Sequence, residues 1–253
     1  MRGVVAVSSG NHGRAVAKVA ADLGAKAVIC LSSRVPAVKA DAIAALGAEV
    51  VVAGPTQDDA DAEARRVVAD RGLTFIHPFD DPRVIAGQGT IGIEMLEAFP
   101  ELTCAIVPLS GGGLIAGIAV ALKSADRSIR VIGVSQDRGP AMYESIRAGR
   151  LTDVVEEDTL ADALAGGLGP TNDHTFEMCR ELLDDIVLVS EEEMGDAMAW
   201  LSTEEGETVE GGGAVGVAAL LAQKIGLDGP TAVVVSGGNV APASLAAILE
   251  ARR

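Results

Sequence analysis

The sequence predicts an α/β protein of two doubly wound parallel-sheet domains, and three observations predict it. Short β-branched runs alternate with longer stretches of helical period, which is the pattern of βαβ units around a parallel sheet. Glycine-rich turns repeatedly follow a strand-like run and open a helix-like one. A hexapeptide with two prolines and two acids, His77-Pro78-Phe79-Asp80-Asp81-Pro82, separates the first strands from the rest. At 253 residues, 49% of them apolar, the chain is long enough to bury a substantial core in each part.

The elements follow in order. Strands are expected over 3–7, 27–31, 49–53 and 74–76 before the hexapeptide, and over 104–107, 130–134, 186–189 and 231–235 after it. Gly24, Gly47 and Gly72 each follow a helical stretch where a left-handed residue closes the last turn. Glu191, Glu192 and Glu193 read as the acidic first turn of a helix. The expected division is a small α/β domain over 1–82 and a larger one over 83–253.

Composition excludes several functions. The net charge of −16, from 36 acidic and 20 basic residues, repels a phosphodiester backbone, and 2% aromatic residues provide no stacking platform for bases. Nucleic acid is therefore not an expected partner. No run approaches about eighteen apolar residues and no signal-peptide pattern opens the chain, so the expectation is a cytoplasmic protein that does not enter a membrane. Cys30, Cys104 and Cys179 are odd in number and widely spaced, which fits buried thiols better than a disulfide framework or a zinc site.

Chemistry concentrates in three loops of one kind. Ser8-Ser9-Gly10-Asn11-His12-Gly13 follows GVVAV; Ser110-Gly111-Gly112-Gly113 follows CAIVPL; Ser236-Gly237-Gly238-Asn239 follows TAVVV. Each lies at the carboxyl end of a strand, where open α/β sheets bind ligands, and each leads into a helix whose first N–H groups are unpaired. The triple glycine suits a phosphate, because residues without Cβ let backbone N–H groups close on the oxygens. No Walker lysine follows it, so a nucleotide hydrolase is disfavoured. Gly111, Gly113 and Ala116 match GxGxxA loosely, but Ser135 stands where a dinucleotide site needs an acid.

Taken in order, SSGNHG, HPFDDPRVIAGQGTIGIEML, VPLSGGGLIAGIA, TLADALAGGLG and VVSGGNV resemble the fold type II pyridoxal phosphate enzymes, and among them the threonine dehydratase and serine racemase family. SSGNHG is closer to the serine racemase-like members, and TLADALAGGLG and VPLSGGGL are similar to the hydroxyectoine-utilisation dehydratase branch. The resemblance covers nearly the whole chain and implies the tryptophan synthase β-like fold with pyridoxal 5′-phosphate as cofactor. It places the cofactor phosphate on Ser110, Gly111, Gly112, Gly113 and Leu114, the pyridine nitrogen on Ser236 and the ring hydroxyl on Asn11. Ser8, Ser9, Gly10 and Gly13 would receive the carboxylate of an amino acid substrate.

Ser9 occupies the position of the racemases' second acid/base and so permits racemisation, while a hydroxyl bonded within its own turn is the structural alternative. His12 is expected to pack rather than to carry protons, and Glu210 either stands near the cofactor or opens a helix. Some relatives bind a divalent cation through an acid where Ser135 stands; no metal is expected here, although Asp137 is near. The resemblance implies an ammonia-lyase that converts threonine or serine to a 2-oxo acid and ammonia. It allows a homodimer, for which the periodicity shows no interface. No C-terminal regulatory domain is expected.

The family's Schiff-base lysine lies upstream of the SSGNHG loop, and only seven residues precede Ser8 here. The lysines present are Lys18, Lys26, Lys39, Lys123 and Lys224, none in such a motif and all expected in solvated settings. The expectation is an N-terminally truncated chain, lacking the first part of the larger domain and inactive as it stands. A lysine-free protein that binds the cofactor or an amino acid is the alternative.

Overall fold

The computed structural model describes residues 3–35, 37–169 and 171–252, with Asp58 described by its backbone alone. Met1 and Arg2, where a start inside a longer gene is expected, lie outside the described residues. The chain forms two compact units, Met1–Asp81 and Pro82–Arg253.

In the first unit, β1 (Val4–Val7), β2 (Ala27–Leu31), β3 (Glu49–Val52) and β4 (Thr74–Phe75) form a parallel sheet in the order β3-β2-β1-β4. Helices α1 (Asn11–Asp22), α2 (Ala37–Ala44) and α3 (Gln57–Arg71) connect them. Successive side chains of a strand point to opposite faces, and the core divides accordingly. Val5, Val7, Val28 and Cys30 pack with Ala60, Ala64 and Val67 of α3. Ala6, Ile29 and Leu31 pack on the other face with Ala17 and Ala20 of α1 and Ile43 of α2. The fully apolar strand β2 is thus buried on both sides, as a central parallel strand must be.

The second unit repeats the plan. Its sheet has the order β7-β6-β5-β8, all parallel, from β5 (Cys104–Pro108), β6 (Arg130–Gln136), β7 (Asp185–Val189) and β8 (Thr231–Val233). One face carries α4 (Pro82–Ala98), α5 (Gly113–Ala125), α6 (Ala141–Ala148) and α7 (Thr175–Leu182), which meet Ala105, Val107 and Val131. The other carries α8 (Glu191–Glu204), α9 (Gly211–Leu221) and α10 (Pro242–Glu250), which meet Ile106, Ile132 and Val134. Each fully buried isoleucine of this set contributes roughly 1.5–3 kcal/mol, so alternation along β5 and β6 fixes both faces at once.

Most expected strands are present within a residue at each end. Two differ more. β6 runs on through Ser135 and Gln136, because both pair with β7 opposite Leu188 and Val189; polar side chains had marked the strand's end in the sequence. β8 stops at Val233 rather than 235. Gly72 closes α3 in the left-handed conformation, and the same helix opens on a reciprocal cap between Thr56 and Asp59. No helix among the described residues is long and apolar enough to cross a membrane.

Candidate functional site

Topology places the three glycine loops. In each sheet the chain builds outward on one side of its first strand and then returns to the other side, so the order reverses between β1 and β4, and again between β5 and β8. Such switch points open a crevice at the carboxyl ends of the strands. The loop after β1 lies at the first reversal; the loops after β5 and β8 flank the second, emerging from adjacent parallel strands at one edge.

In the second unit, Ser110, Gly111 and Gly112 link β5 to α5. Gly112 caps the helix with φ of 88°, the left-handed region that glycine enters without steric cost. The first bond of the ladder is the Ala116 N–H to the Gly112 carbonyl at 2.9 Å, so the N–H groups of Gly113, Leu114 and Ile115 precede it and form the positive end of α5. A Cβ on Gly112 would come within 2.9 Å of both Cys179 Sγ and Met142 Cε. The loop is therefore backed by packed side chains on that side. Neutral amide donors on a helix N-terminus, with no cation in the turn, suit the phosphate ester of a small molecule.

The loop after β8 is held from below. The Ser236 carbonyl rests against Gly213 of α9, where a Cβ could not fit. Glu210, only 5% exposed, is the N-cap residue of α9 and accepts the Asn239 N–H at 3.1 Å, while its own N–H donates to the Gly237 carbonyl at 3.0 Å. Of the two expectations for Glu210, it fits the helix-opening one by position, and it serves the SGGN loop in addition. Ser110 through Leu114 and Ser236 are thus brought to one edge of one sheet.

In the first unit, Gly10 is the N-cap of α1 and its N–H donates to Ser8 Oγ at 3.1 Å. The Ser8 hydroxyl thus bonds within its own turn. The Ser8 carbonyl lies so close over Gly13 that no side chain fits there. Ser9 and Gly10 are half-buried and Asn11 is exposed at the head of the helix. His12 donates from Nε2 to the Ile76 carbonyl at 3.1 Å, and burial holds its pKa below the ordinary value of 6.5. The ring is thereby tied to the carbonyl just beyond β4.

Sequence reasoning missed a buried polar chain behind the triple glycine. Ser135, 3% exposed, donates its hydroxyl to Gln136 Oε1 at 3.1 Å. Gln136, wholly buried, donates to the Leu164 carbonyl at 3.3 Å, and Ser110 Oγ donates to the same carbonyl at 2.9 Å. The only advance signal was the polar pair Ser135-Gln136 at the end of an apolar strand. The described residues contain no cluster of three His, Cys, Asp or Glu suited to a metal. Lys18 pairs with Asp22 on the surface, but Lys123 departs from the expected solvated setting: its side chain is 11% exposed and pairs with Asp184 at 2.7 Å.

Comparison with known proteins agrees with this geometry. The family described as "Pyridoxal-phosphate dependent enzyme" matches residues 1–238. The chain is 43% identical over 240 residues to an L-threonine ammonia-lyase of Thermotoga maritima, covering 94% of this chain and 59% of that protein. It is 42% identical over 242 residues to the catabolic L-threonine dehydratase of Escherichia coli, covering 94% of this chain and 73% of that one. The structure of maize serine racemase superposes with a TM-score of 0.90 at 33% identity, covering 99% of this chain and 77% of the racemase. With the loops at the switch points and these matches along nearly its whole length, the chain belongs to the fold type II pyridoxal-phosphate dependent enzymes, in the family of threonine dehydratases and serine racemases.

Proposed function

We propose that this chain carries the cofactor and substrate loops of a pyridoxal phosphate-dependent ammonia-lyase acting on a hydroxy amino acid, threonine or serine. The observation that carries the proposal is the Gly112-capped end of α5 beside the SGGN loop on adjacent strands, an arrangement that would suit a phosphate and a heteroaromatic ring on one small molecule. The relatives named as threonine ammonia-lyase and dehydratase support the reaction class.

When bound, the cofactor supplies an electron sink for negative charge developing at the substrate α-carbon. Gly111 to Leu114 would hold its phosphate through main-chain N–H groups, with the α5 dipole adding to the attraction. Ser236 offers a neutral hydroxyl to the pyridine nitrogen, and a neutral partner tempers the sink, which suits elimination over transamination. Asn11 would bond the ring hydroxyl. Ser8, Ser9, Gly10 and Gly13 would take the substrate carboxylate at the N-terminus of α1. Ser9 Oγ is the proposed proton carrier for racemisation.

Substituting Gly112 by valine tests the cradle. It should raise the dissociation constant for pyridoxal 5′-phosphate by more than about tenfold, because the branched Cβ is both strained at that φ and blocked by Cys179 and Met142. Unchanged affinity in a folded Gly112→Val protein would refute the cradle. In a protein that also carries the upstream Schiff-base lysine, Ser9→Ala should remove racemisation and leave elimination; equal loss of both would mark Ser9 as structural.

A second reading follows from the lysines. Lys18, Lys123 and Lys224 are ion-paired with Asp22, Asp184 and Glu193, and none of the five lysines lies in a glycine loop. On this reading the chain holds the cofactor without a covalent bond. Borohydride treatment followed by mass spectrometry tests this reading: a cofactor mass retained on any of the five lysines would refute it, and loss of all cofactor on denaturation would agree with it.

A further inference from the structure

We propose that Glu191 is a positioning residue of the phosphate loop, acting through the segment 159–164. The proposal rests on the reading of Ser110–Gly113 as the phosphate cradle.

The sequence makes Glu191 look like one of three equivalent acids at the head of α8. The structure distinguishes them. Ser190 caps the helix, and Glu193 completes a reciprocal capping box, receiving the Ser190 N–H at 2.7 Å. Glu191 is not used for that purpose. Its two oxygens reach back some thirty residues: Oε1 accepts the Thr159 hydroxyl at 2.5 Å and Oε2 accepts the Leu160 N–H at 2.8 Å. A carboxylate only accepts, so the Thr159 proton must point to it, which leaves a lone pair of Thr159 Oγ1 for the Ala161 N–H at 3.1 Å. Three bonds thereby hang on one anion, and bonds to an ionised acceptor are roughly twice as strong as neutral ones.

The segment then delivers its far end to the cradle. The Leu164 N–H closes a turn on the Ala161 carbonyl at 2.7 Å. The Leu164 carbonyl receives Ser110 Oγ and the buried Gln136 amide. On the other flank, the Leu160 carbonyl presses on Gly211 at the start of α9, where no Cβ fits, and Leu164 Cγ would lie 3.2 Å from a Cβ on Gly212. Residues 159–164 form only a turn, with no regular helix or strand. Their placement depends on side chains from elsewhere, the Glu191 carboxylate among them, and just upstream the Arg138 guanidinium donates to the Asp158 carbonyl at 2.6 Å. Without it the Leu164 carbonyl would drift, and Ser110, the first residue of the cradle, would lose its acceptor.

The test is amide hydrogen exchange without ligand, together with calorimetric titration by pyridoxal 5′-phosphate and by unphosphorylated pyridoxal. Glu191→Ala should speed exchange at Leu160, Ala161 and Gly111–Gly113 and weaken pyridoxal 5′-phosphate about tenfold, with pyridoxal unaffected. Glu191→Gln, which keeps one acceptor, should fall between, and Glu192→Ala, an exposed neighbour, should change nothing. Thr159→Val repeats the loss from the other partner should Glu191→Ala not fold. Unchanged exchange at Leu160 and Ala161 would overturn the clamp. Faster exchange there, with Gly111–Gly113 and phosphate-dependent affinity both unchanged, would overturn its link to the cradle. A wild-type protein that does not prefer the phosphorylated ligand would instead refute the cradle reading, and the exchange at Gly111–Gly113 alone would then decide whether Glu191 positions the loop.

Discussion

At the scale of single residues, Gly13 sets two effects against each other. It lies inside α1, where alanine ordinarily improves a helix by about 1 kcal/mol over glycine. Yet its Cβ would strike the Ser8 carbonyl, a main-chain atom that cannot rotate away. Backbone displacement of this sort costs typically 1–3 kcal/mol, so the clash should outweigh the propensity. Gly13→Ala is expected to lower the urea midpoint, whereas a rise would show that the Ser8 loop yields freely. The thiols give a second expectation. Burial pushes Cys179 up to about 12 and, with help from the Glu63 charge, Cys30 up to about 11; Cys104 is raised as well. All three are buried, so native protein at pH 8 should resist a thiol reagent that counts three thiols once the chain is unfolded. Prompt reaction of even one native thiol would contradict this.

At the scale of elements, α3 rests on a cap that can be tested alone. The Asp59 N–H donates to Thr56 Oγ1 at 3.1 Å, and the Thr56 N–H donates to Asp59 Oδ2 at 2.9 Å. Thr56→Ala should cost about 1 kcal/mol by denaturant titration, the usual value of an N-cap. The bonds from the Thr56 hydroxyl and N–H hold the Asp59 pKa below its ordinary 3.8. The contribution is therefore complete above that value and fades as pH falls through the lowered one, so the gap between wild type and Thr56→Ala should narrow below about pH 4. A constant gap would mean that the carboxylate takes no part. Caps and glycine stops of this kind are local chemistry, which is why α3 and the strands could be read from spacing. The Leu164 carbonyl could not, because its partners Gln136 and Ser110 lie 28 and 54 residues away along the chain and no local period links them. Ser135 and Gln136 misled for the same reason: a polar pair ends a strand unless a distant partner satisfies it. The three loops were legible as strand-to-helix turns, and their places at the two reversals of strand order came only from the topology.

At the scale of the whole molecule, the two histidines whose pKa burial lowers and the two chromophores Trp200 and Tyr143 fall in different units, and this makes the two-unit organisation testable. His12 and His77 belong to the first unit. His77 Nδ1 accepts the N–H groups of Phe79 and Asp80 at 3.2 and 2.7 Å, with its ring edge-on to Phe79 at 4.7 Å. Protonation of Nδ1 would break both bonds. Burial lowers the pKa of both histidines from 6.5, in His77 against the pull of Asp80, Asp61 and Asp81. In the unfolded chain they bind protons first, so stability rises with pH through this window: it is complete above about 6.5 and is lost as pH falls through the lowered values. The carboxylates with lowered values titrate further down, from 4.5 or below. Between pH 6.5 and 5 the loss from His12 and His77 should therefore fall on the first unit, which holds both. Trp200 and Tyr143, the single tryptophan and tyrosine, lie in the second. Urea unfolding followed by far-ultraviolet dichroism reports both units, whereas tryptophan fluorescence reports only the second. Acidification from pH 7.5 to 5.5 should move the early part of the dichroism transition to lower urea and leave the fluorescence midpoint in place. Replacing His77 with glutamine should remove part of that movement, since its amide titrates nowhere in the range. If both probes shifted together by the same amount, the units would unfold as one body and the histidines would be coupled to the whole.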